Sequence, residues 1–253
     1  MTDLRTRYVV AEDGVQLAVH EMGAAGGRDV LLLHGLVSSA DVNWIKFGTA
    51  AQLAEAGFHC IMPDLRGHGG SDAPVDATFY PKDVLVRDIG GLIHMLGLVD
   101  YDLVGFSLGA RTSAKLVMEG ASPRRLILSG MGLEGLLDWQ KRRDFFVDVV
   151  NNFTTLKRGD PGFMSAAFMK TVGIDPEVVR HVVGSFGDLT LADLQRIPTP
   201  TLVLCGTEDK DNGSPERLAE ALPQGSYREI PGNHMNCVKK PDFGRAIVAT
   251  LSA

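Results

Sequence analysis

The sequence predicts an α/β fold: a mostly parallel eight-stranded sheet flanked by helices, with an all-helical segment inserted after the sixth strand. Three observations predict it. Short, nearly continuous apolar runs recur along the chain, as in strands buried on both faces. Stretches with an apolar period near 3.6 separate them, and strand alternating with helix marks a sheet covered on both sides. From Met131 to about Gln195 the alternation stops and only helical patterns remain.

Residues 7–11 (RYVVA) and 15–21 (VQLAVHE) are β-rich and flank Glu12-Asp13-Gly14, a turn of hairpin type. Residues 29–34 (DVLLLH) make a third strand ending at Gly35. Trp44, Phe47, Ala51 and Leu53 place a helix at 44–56, which Gly57 stops. Residues 58–63 (FHCIMP) are the fourth strand, and 82–96 carry a helical stripe from Val84 to Leu96. Strand 101–106 (YDLVGF) leads into helix 107–119, and 125–129 (RLILS) is the sixth strand. Residues 136–153 read as an amphipathic helix with Phe145, Phe146, Val149, Val150 and Phe153 on one side. Shorter helices follow at 161–172 and 176–186, the latter opened by Asp175-Pro176. Strand 201–205 (TLVLC), helix 214–222, a weaker strand 226–230 (SYREI) and helix 238–251 complete the order. The expected division is a core of 1–130 and 196–253 and a helical insertion of 131–195.

The 253 residues suit one large domain. With 45% apolar and 22% charged residues, disorder and coiled coil are excluded. A net charge of −6 argues against a general nucleic-acid binder and against a polybasic membrane anchor. The three cysteines, Cys60, Cys205 and Cys237, are odd in number and widely spaced, so no disulfide framework is expected. No apolar signal region opens the chain, and no run of about 18 apolar residues occurs, so the expected setting is the cytoplasm, without a membrane partner. There is no H-E-x-x-H, no Cys/His pairing at ligand spacing and no P-loop, and Gly67–Gly70 lacks the third glycine of a dinucleotide fingerprint. The implied chemistry uses neither metal nor cofactor.

Gly105-Phe106-Ser107-Leu108-Gly109 follows a strand and opens a helix. The five-residue pattern is weak alone; the strand–turn–helix setting gives it weight, because a turn that tight strains the serine and lifts its hydroxyl clear of the sheet. A serine needs a base. Of the seven histidines, His234 lies in Pro231-Gly232-Asn233-His234, after the last strand and on the same sheet edge as Ser107. His59 and His94 sit inside elements, and His20 and His181 have no supporting context. The base needs an acid to set its tautomer. Gly206-Thr207-Glu208-Asp209 follows the seventh strand at that edge, whereas Ser129-Gly130-Met131 after the sixth offers no carboxylate before Glu134. Asp209 is preferred, with Glu208 and Asp211 as competitors.

These residues resemble the α/β-hydrolase superfamily, in its serine carboxylesterase and lactonase-like branch with a small helical cap. The order Ser107, Asp209, His234 is that superfamily's order. Leu33-His34-Gly35-Leu36 looks like its oxyanion loop, and Pro63-Asp64-Leu65-Arg66-Gly67-His68-Gly69-Gly70-Ser71-Asp72 is similar to its loop after the fourth strand. The resemblance runs from about Asp29 to the C-terminus. It implies an oxyanion hole from the backbone N–H groups of Leu36 and Leu108, structural roles for His34 and Gly35, and an architectural role for Asp64, Arg66 and His68. It also implies that 131–195 is a cap over the serine, with Phe106, Met131, Trp139, Phe145 and Phe146 as candidate pocket residues.

The expected function is hydrolysis of carboxylic esters or lactones of small, mostly apolar substrates. The alternatives are a C–C bond hydrolase, a cofactor-free peroxidase or perhydrolase on the same triad, and a non-catalytic small-ligand receptor. Dehalogenases and epoxide hydrolases of this superfamily normally carry aspartate at the elbow, and serine at 107 argues against both.

Overall fold

A computed structural model describes residues 3–253; the first two residues of the expected core lie outside this range. The strands are β1 (Arg5–Val10), β2 (Gln16–Met22), β3 (Arg28–Leu33), β4 (Phe58–Pro63), β5 (Tyr101–Phe106), β6 (Leu126–Ser129), β7 (Thr201–Gly206) and β8 (Gly225–Ile230). They form one sheet in the order β1-β2-β4-β3-β5-β6-β7-β8. β2 pairs antiparallel with β1 and β4, and every other pair is parallel. Gly14, at φ 90°, closes the β1–β2 hairpin in a conformation glycine adopts freely.

The core helices are α1 (Thr49–Glu55), α2 (Val84–Met95) and α3 (Leu108–Met118). After β6 come α4 (Leu133–Leu137), α5 (Trp139–Asn151), α6 (Phe163–Val172), α7 (Pro176–Gly184) and α8 (Leu191–Leu194). Helices α9 (Pro215–Ala221) and α10 (Pro241–Ser252) return to the core. Side chains alternate across a strand, so each buried run serves two cores. Val30, Leu32, Val104, Ile127 and Leu204 pack with Leu53 of α1 and Phe243 and Ile247 of α10. Leu31, Leu33, Leu103, Leu128 and Val203 pack on the opposite face with Ile89 of α2, Val117 of α3 and Leu218 of α9. At about 25 cal/mol per Å² of apolar surface, burial on both faces is the main stabilising term of such a sheet.

Two expected helices differ in detail, and one helix lies outside the sequence pattern. The stretch 44–56 becomes a π-helical turn, Asp41–Ile45, then α1, with Gly48 at φ 84° between them. The stretch 136–153 starts earlier and breaks at Asp138, giving α4 and α5. Helix α8 was not foreseen; the Thr190 hydroxyl and the Asp193 carboxylate cap it reciprocally. Helix α7 begins as the sequence suggests, with Asp175 accepting from the Glu177 N–H ahead of Pro176.

The helical segment is tied to the core through Arg111 of α3. Its Nη1 donates to the carbonyls of Gly135 and Leu136, and its Nη2 to that of Gly187. The guanidinium lies 4.5 Å from the Trp139 ring centroid and 5.5 Å from that of Phe186. Burial lowers its pKa to about 10, against the opposing charges of Asp188 and Asp83, so it remains a cation at neutral pH. Among the described residues, no helix is long and apolar enough to cross a membrane.

Candidate active site

Three loops at the carboxyl edge of the sheet bring Ser107, Asp209 and His234 together. Ser107 joins β5 to α3 at φ 52° and ψ −109°, a left-hand conformation that costs a serine about 1–3 kcal/mol. The neighbouring glycines make it possible. A Cβ at Gly109 would overlap the Leu33 carbonyl on the next strand, and one at Gly105 would overlap the backbone of Gly109. Gly35 lets its loop close on the elbow, since a Cβ there would press on the Phe106 ring at 3.2 Å and touch the Ser107 Cβ at 3.4 Å. The Ser107 N–H donates to the Ser129 carbonyl at 2.8 Å, pinning the turn to the end of β6.

His234 reaches its place through a tight loop after β8. Gly232 takes φ 117°, and the Asn233 side chain accepts from the N–H groups of Met235 and Asn236. Asp209 follows β7 in a turn held by bonds from the Thr207 N–H to the Ile230 carbonyl and from the Glu208 N–H to the Gly232 carbonyl. The acid and histidine loops therefore brace each other directly.

The Asp209 Oδ2 lies 2.9 Å from the His234 Nδ1, and the His234 Nε2 lies 3.1 Å from the Ser107 Oγ. An ionised carboxylate only accepts, so Nδ1 carries the proton and Nε2 is free to accept from the serine hydroxyl. The other carboxylate oxygen accepts from the Asp211 N–H at 3.2 Å. All three side chains are nearly buried, with exposures of 8% for Ser107, 5% for Asp209 and 8% for His234. Glu208 and Asp211 are exposed. The Phe106 ring backs the imidazole at a centroid distance of 5.0 Å and meets Phe243 edge-on.

The Gly35 carbonyl accepts from the His34 Nδ1 at 2.7 Å. In a trans peptide the next N–H points the opposite way, so this bond sets the direction of the Leu36 N–H. Among the described residues, the Leu36 N–H has no hydrogen-bond partner within the chain. The Leu108 N–H belongs to the first turn of α3, which lacks intrahelical acceptors. Two N–H groups flanking the elbow can thus receive a negative oxygen.

The pocket candidates divide. Phe106 packs beneath His234, and Met131, buried, offers its carbonyl to the Cys205 thiol. The Trp139 Nε1 donates to the Val183 carbonyl and its ring packs against Phe186 and Arg111, so the contacts it makes join helices to core. Phe146 is likewise buried, against Phe145 and under the Arg142 guanidinium, while Phe145 is 37% exposed. An amphipathic stripe shows that a helix face is buried; it does not show whether protein or substrate covers it.

Several site-shaping residues escaped the sequence reading. Gly130, at φ 58°, leaves room where a Cβ would press on the Phe106 ring and His234. The Asn212 Nδ2 donates to the Gly130 carbonyl at 2.8 Å, joining the acid loop to the end of β6. The Asn43 Oδ1 accepts from the Gly35 N–H. Each is an isolated polar or glycine residue in a loop or short helical turn that follows a strand, and only that position could have flagged it. Burial pushes the Cys60 thiol up to about 12, and the Cys205 and Cys237 thiols to about 12 with help from the Asp209 charge, so none competes as a nucleophile. Among the described residues, no group of His, Cys, Asp and Glu could hold a metal ion.

Behind the oxyanion loop, His34 and His68 are fully buried, and burial lowers both pKa values, that of His68 to about 3. Burial works to raise the Asp64 carboxyl, but the His20 hydrogen bond, the His34 charge and the Gly70 and Ala40 N–H groups bring it down to about 2. Unfolded, each imidazole takes up a proton near pH 6.5, whereas the folded chain resists. The folded state therefore loses stability as pH falls below 6.5, by at most about 1.4 kcal/mol per pH unit per imidazole. Asp64 adds a second loss only below about pH 4, as the pH falls towards 2. The urea midpoint should thus drop between pH 7 and pH 5; an unchanged midpoint would mean that these imidazoles titrate normally.

A family model described as alpha/beta hydrolase fold matches residues 30–171. An epoxide hydrolase of Caballeronia sordidicola is 38% identical over 103 residues, which are 41% of this chain and 30% of that protein. The chain spans less than half the length of that relative and of three others at 31–37% identity. Among solved structures, an esterase from Exiguobacterium antarcticum superposes with a TM-score of 0.76 at 20% identity, covering 98% of this chain and 100% of the other. The enol-lactonase from Burkholderia xenovorans LB400 gives 0.75 at 21%, covering 98% and 100%. At such identities the likeness establishes the fold.

Proposed function

We propose that this chain, which belongs to the alpha/beta hydrolase fold family, is a serine hydrolase that cleaves carboxylic esters or lactones of small, mostly apolar molecules. The observation that carries this reading is the pair of hydrogen bonds linking Ser107, His234 and Asp209 in line, at 3.1 and 2.9 Å.

The Ser107 hydroxyl attacks the substrate carbonyl while His234 Nε2 takes its proton. The imidazolium that forms is stabilised by Asp209. The carbonyl oxygen becomes negative and is met by the Leu36 and Leu108 N–H groups, in a site where water competes little. His234 then returns its proton to the leaving alcohol, and the acyl group stays on Ser107. Water, deprotonated by the same imidazole, releases the acid. Residues 131–195 act as a cap that shapes the substrate pocket.

The epoxide hydrolase relatives do not redirect this reading. Attack by Ser107 on an epoxide carbon would leave an ether on the enzyme, which water does not cleave at this site. A carboxylate nucleophile would leave an ester, which water can release. Serine at the elbow suits acyl transfer.

The test combines labelling with turnover. A fluorophosphonate should add one mass increment, mapped to the peptide holding Ser107, and block hydrolysis of aryl esters. Initial rates on a panel of short-chain aryl esters, lactones and a ring-cleavage dienoate then assign the bond. A protein that neither reacts with the probe nor turns over any member of the panel is not a serine hydrolase.

A further inference from the structure

We infer that His68 is a positioning residue for the oxyanion hole, acting on the nucleophile through the strained backbone of Val37. This rests on the serine-hydrolase reading above. Three observations converge on it, from segments 31 residues apart in sequence.

The first is strain. Val37 follows Leu36 directly and holds φ 57°. That region is unusual for any side chain and worst for a β-branched one, so something outside the loop must keep it there. The second is the tether. The Val37 N–H donates to the His68 Nε2 at 3.1 Å, while the His68 Nδ1 donates to the Arg66 carbonyl at 3.0 Å. The imidazole is thus a neutral strut, with its proton on Nδ1 and its lone pair spent on the oxyanion loop. The third is the matching second strut. His34 accepts from the Leu65 N–H through Nε2 and donates to the Gly35 carbonyl through Nδ1. The two rings meet edge to face at a centroid distance of 5.2 Å.

Both peptides that bracket the Leu36 residue are therefore fixed by an imidazole. His34 holds the Gly35–Leu36 peptide by its carbonyl, and His68 holds the Leu36–Val37 peptide by its N–H. With one strut removed, Val37 can relax to negative φ, and that rotation drags Leu36 with it. The N–H that should face the oxyanion then turns away. The nucleophile, its base and its acid lie on other loops and stay in place.

Two substitutions separate this role from simple packing. In His68→Asn the amide can reproduce the Nδ1 bond to the Arg66 carbonyl but has no atom at the Nε2 position. In His68→Gln an acceptor can again reach the Val37 N–H. Loss of one oxyanion donor typically lowers kcat on the order of 10²-fold. His68→Asn should show a fall of that order with KM nearly unchanged, and His68→Gln should recover most of it. The second readout compares an aryl ester with its thionoester, whose sulfur bonds weakly to N–H donors. The wild type should strongly prefer the oxygen ester; His68→Asn should narrow that preference and His68→Gln restore it. Thermal unfolding of both variants, and their labelling by a fluorophosphonate, shows that the fold and the nucleophile survive. Folded Asn and Gln variants with equal kcat, or an unchanged oxygen-to-sulfur preference in His68→Asn, overturn the inference. A wild type that lacks ester turnover overturns instead the reading on which it rests.

Discussion

Ser107→Ala should lower ester hydrolysis by roughly 10⁴- to 10⁶-fold while leaving the fold intact. The rate falls that far because nucleophile, base and acid act as a unit, and what remains comes from binding and oxyanion stabilisation. The fold survives because the hydroxyl has no structural duty. Ser107 precedes α3 but makes no side-chain capping bond, and its Oγ is bonded to the His234 imidazole. Alanine has the same Cβ as serine, so the strain at φ 52° is unchanged. Losing a nearly buried hydroxyl also removes a desolvation cost, so the urea midpoint should stay at or slightly above that of the wild type. The measurement pairs single-turnover hydrolysis of an aryl ester with a urea melt. A folded alanine variant that turns over within tenfold of the wild type would move the nucleophile elsewhere. Ser113 and Ser129 are the buried serines to examine next, since their hydroxyls have no partner among the described residues.

How much of this site could be read beforehand depended on the range of the forces involved. β3, β5, β6 and β7 were legible because a strand buried on both faces is apolar at nearly every position, as Val30 to Leu33 and Leu202 to Leu204 are. Ser107, Asp209 and His234 were legible as candidates because each follows such a run, and strand ends in a parallel sheet share one edge. The loop after β4 was different. Asp64 and His68 stand out in the sequence as charged or titratable, yet their partners are the N–H groups of Ala40 and Val37. A side-chain bond to a distant backbone N–H leaves no periodic trace. The break at Asp138 and the π-helical turn at Asp41–Ile45 were hidden for a related reason: local helix propensity favours continuing, and tertiary contacts decide otherwise. Trp139 shows the limit most plainly. Its spacing announces burial, but the covering groups are Arg111 of α3 and Val183 and Phe186 around the end of α7, supplied by two segments distant in sequence.

Asp209→Asn should cost about 10⁴-fold in kcat, and Asp211→Asn less than about threefold. The contrast follows from what each carboxylate touches. Asp209 is buried and accepts from the His234 Nδ1 at 2.9 Å, which holds the proton on that nitrogen. An asparagine amide there can present its NH₂ to the ring. The imidazole then accepts at Nδ1 and carries its proton on Nε2, facing a serine hydroxyl it can no longer deprotonate. Where the amide oxygen faces the ring instead, the tautomer is kept, but the charge that stabilises the imidazolium is lost. Asp211 sits two residues on, with its carboxylate exposed. Its contribution to the site is its backbone N–H, given to the Asp209 Oδ1, and its carbonyl, which accepts from Arg142 at 3.4 Å. Asparagine keeps both. Exposed charges are also screened by solvent, so removing one changes the field at His234 little. Both variants should bind a fluorophosphonate-sized ligand, but Asp209→Asn should be labelled far more slowly, since labelling needs the same proton transfer. If Asp211→Asn proved the slower enzyme, the acid would be Asp211, and the 206–211 loop would have to turn during the reaction to bring it to the ring.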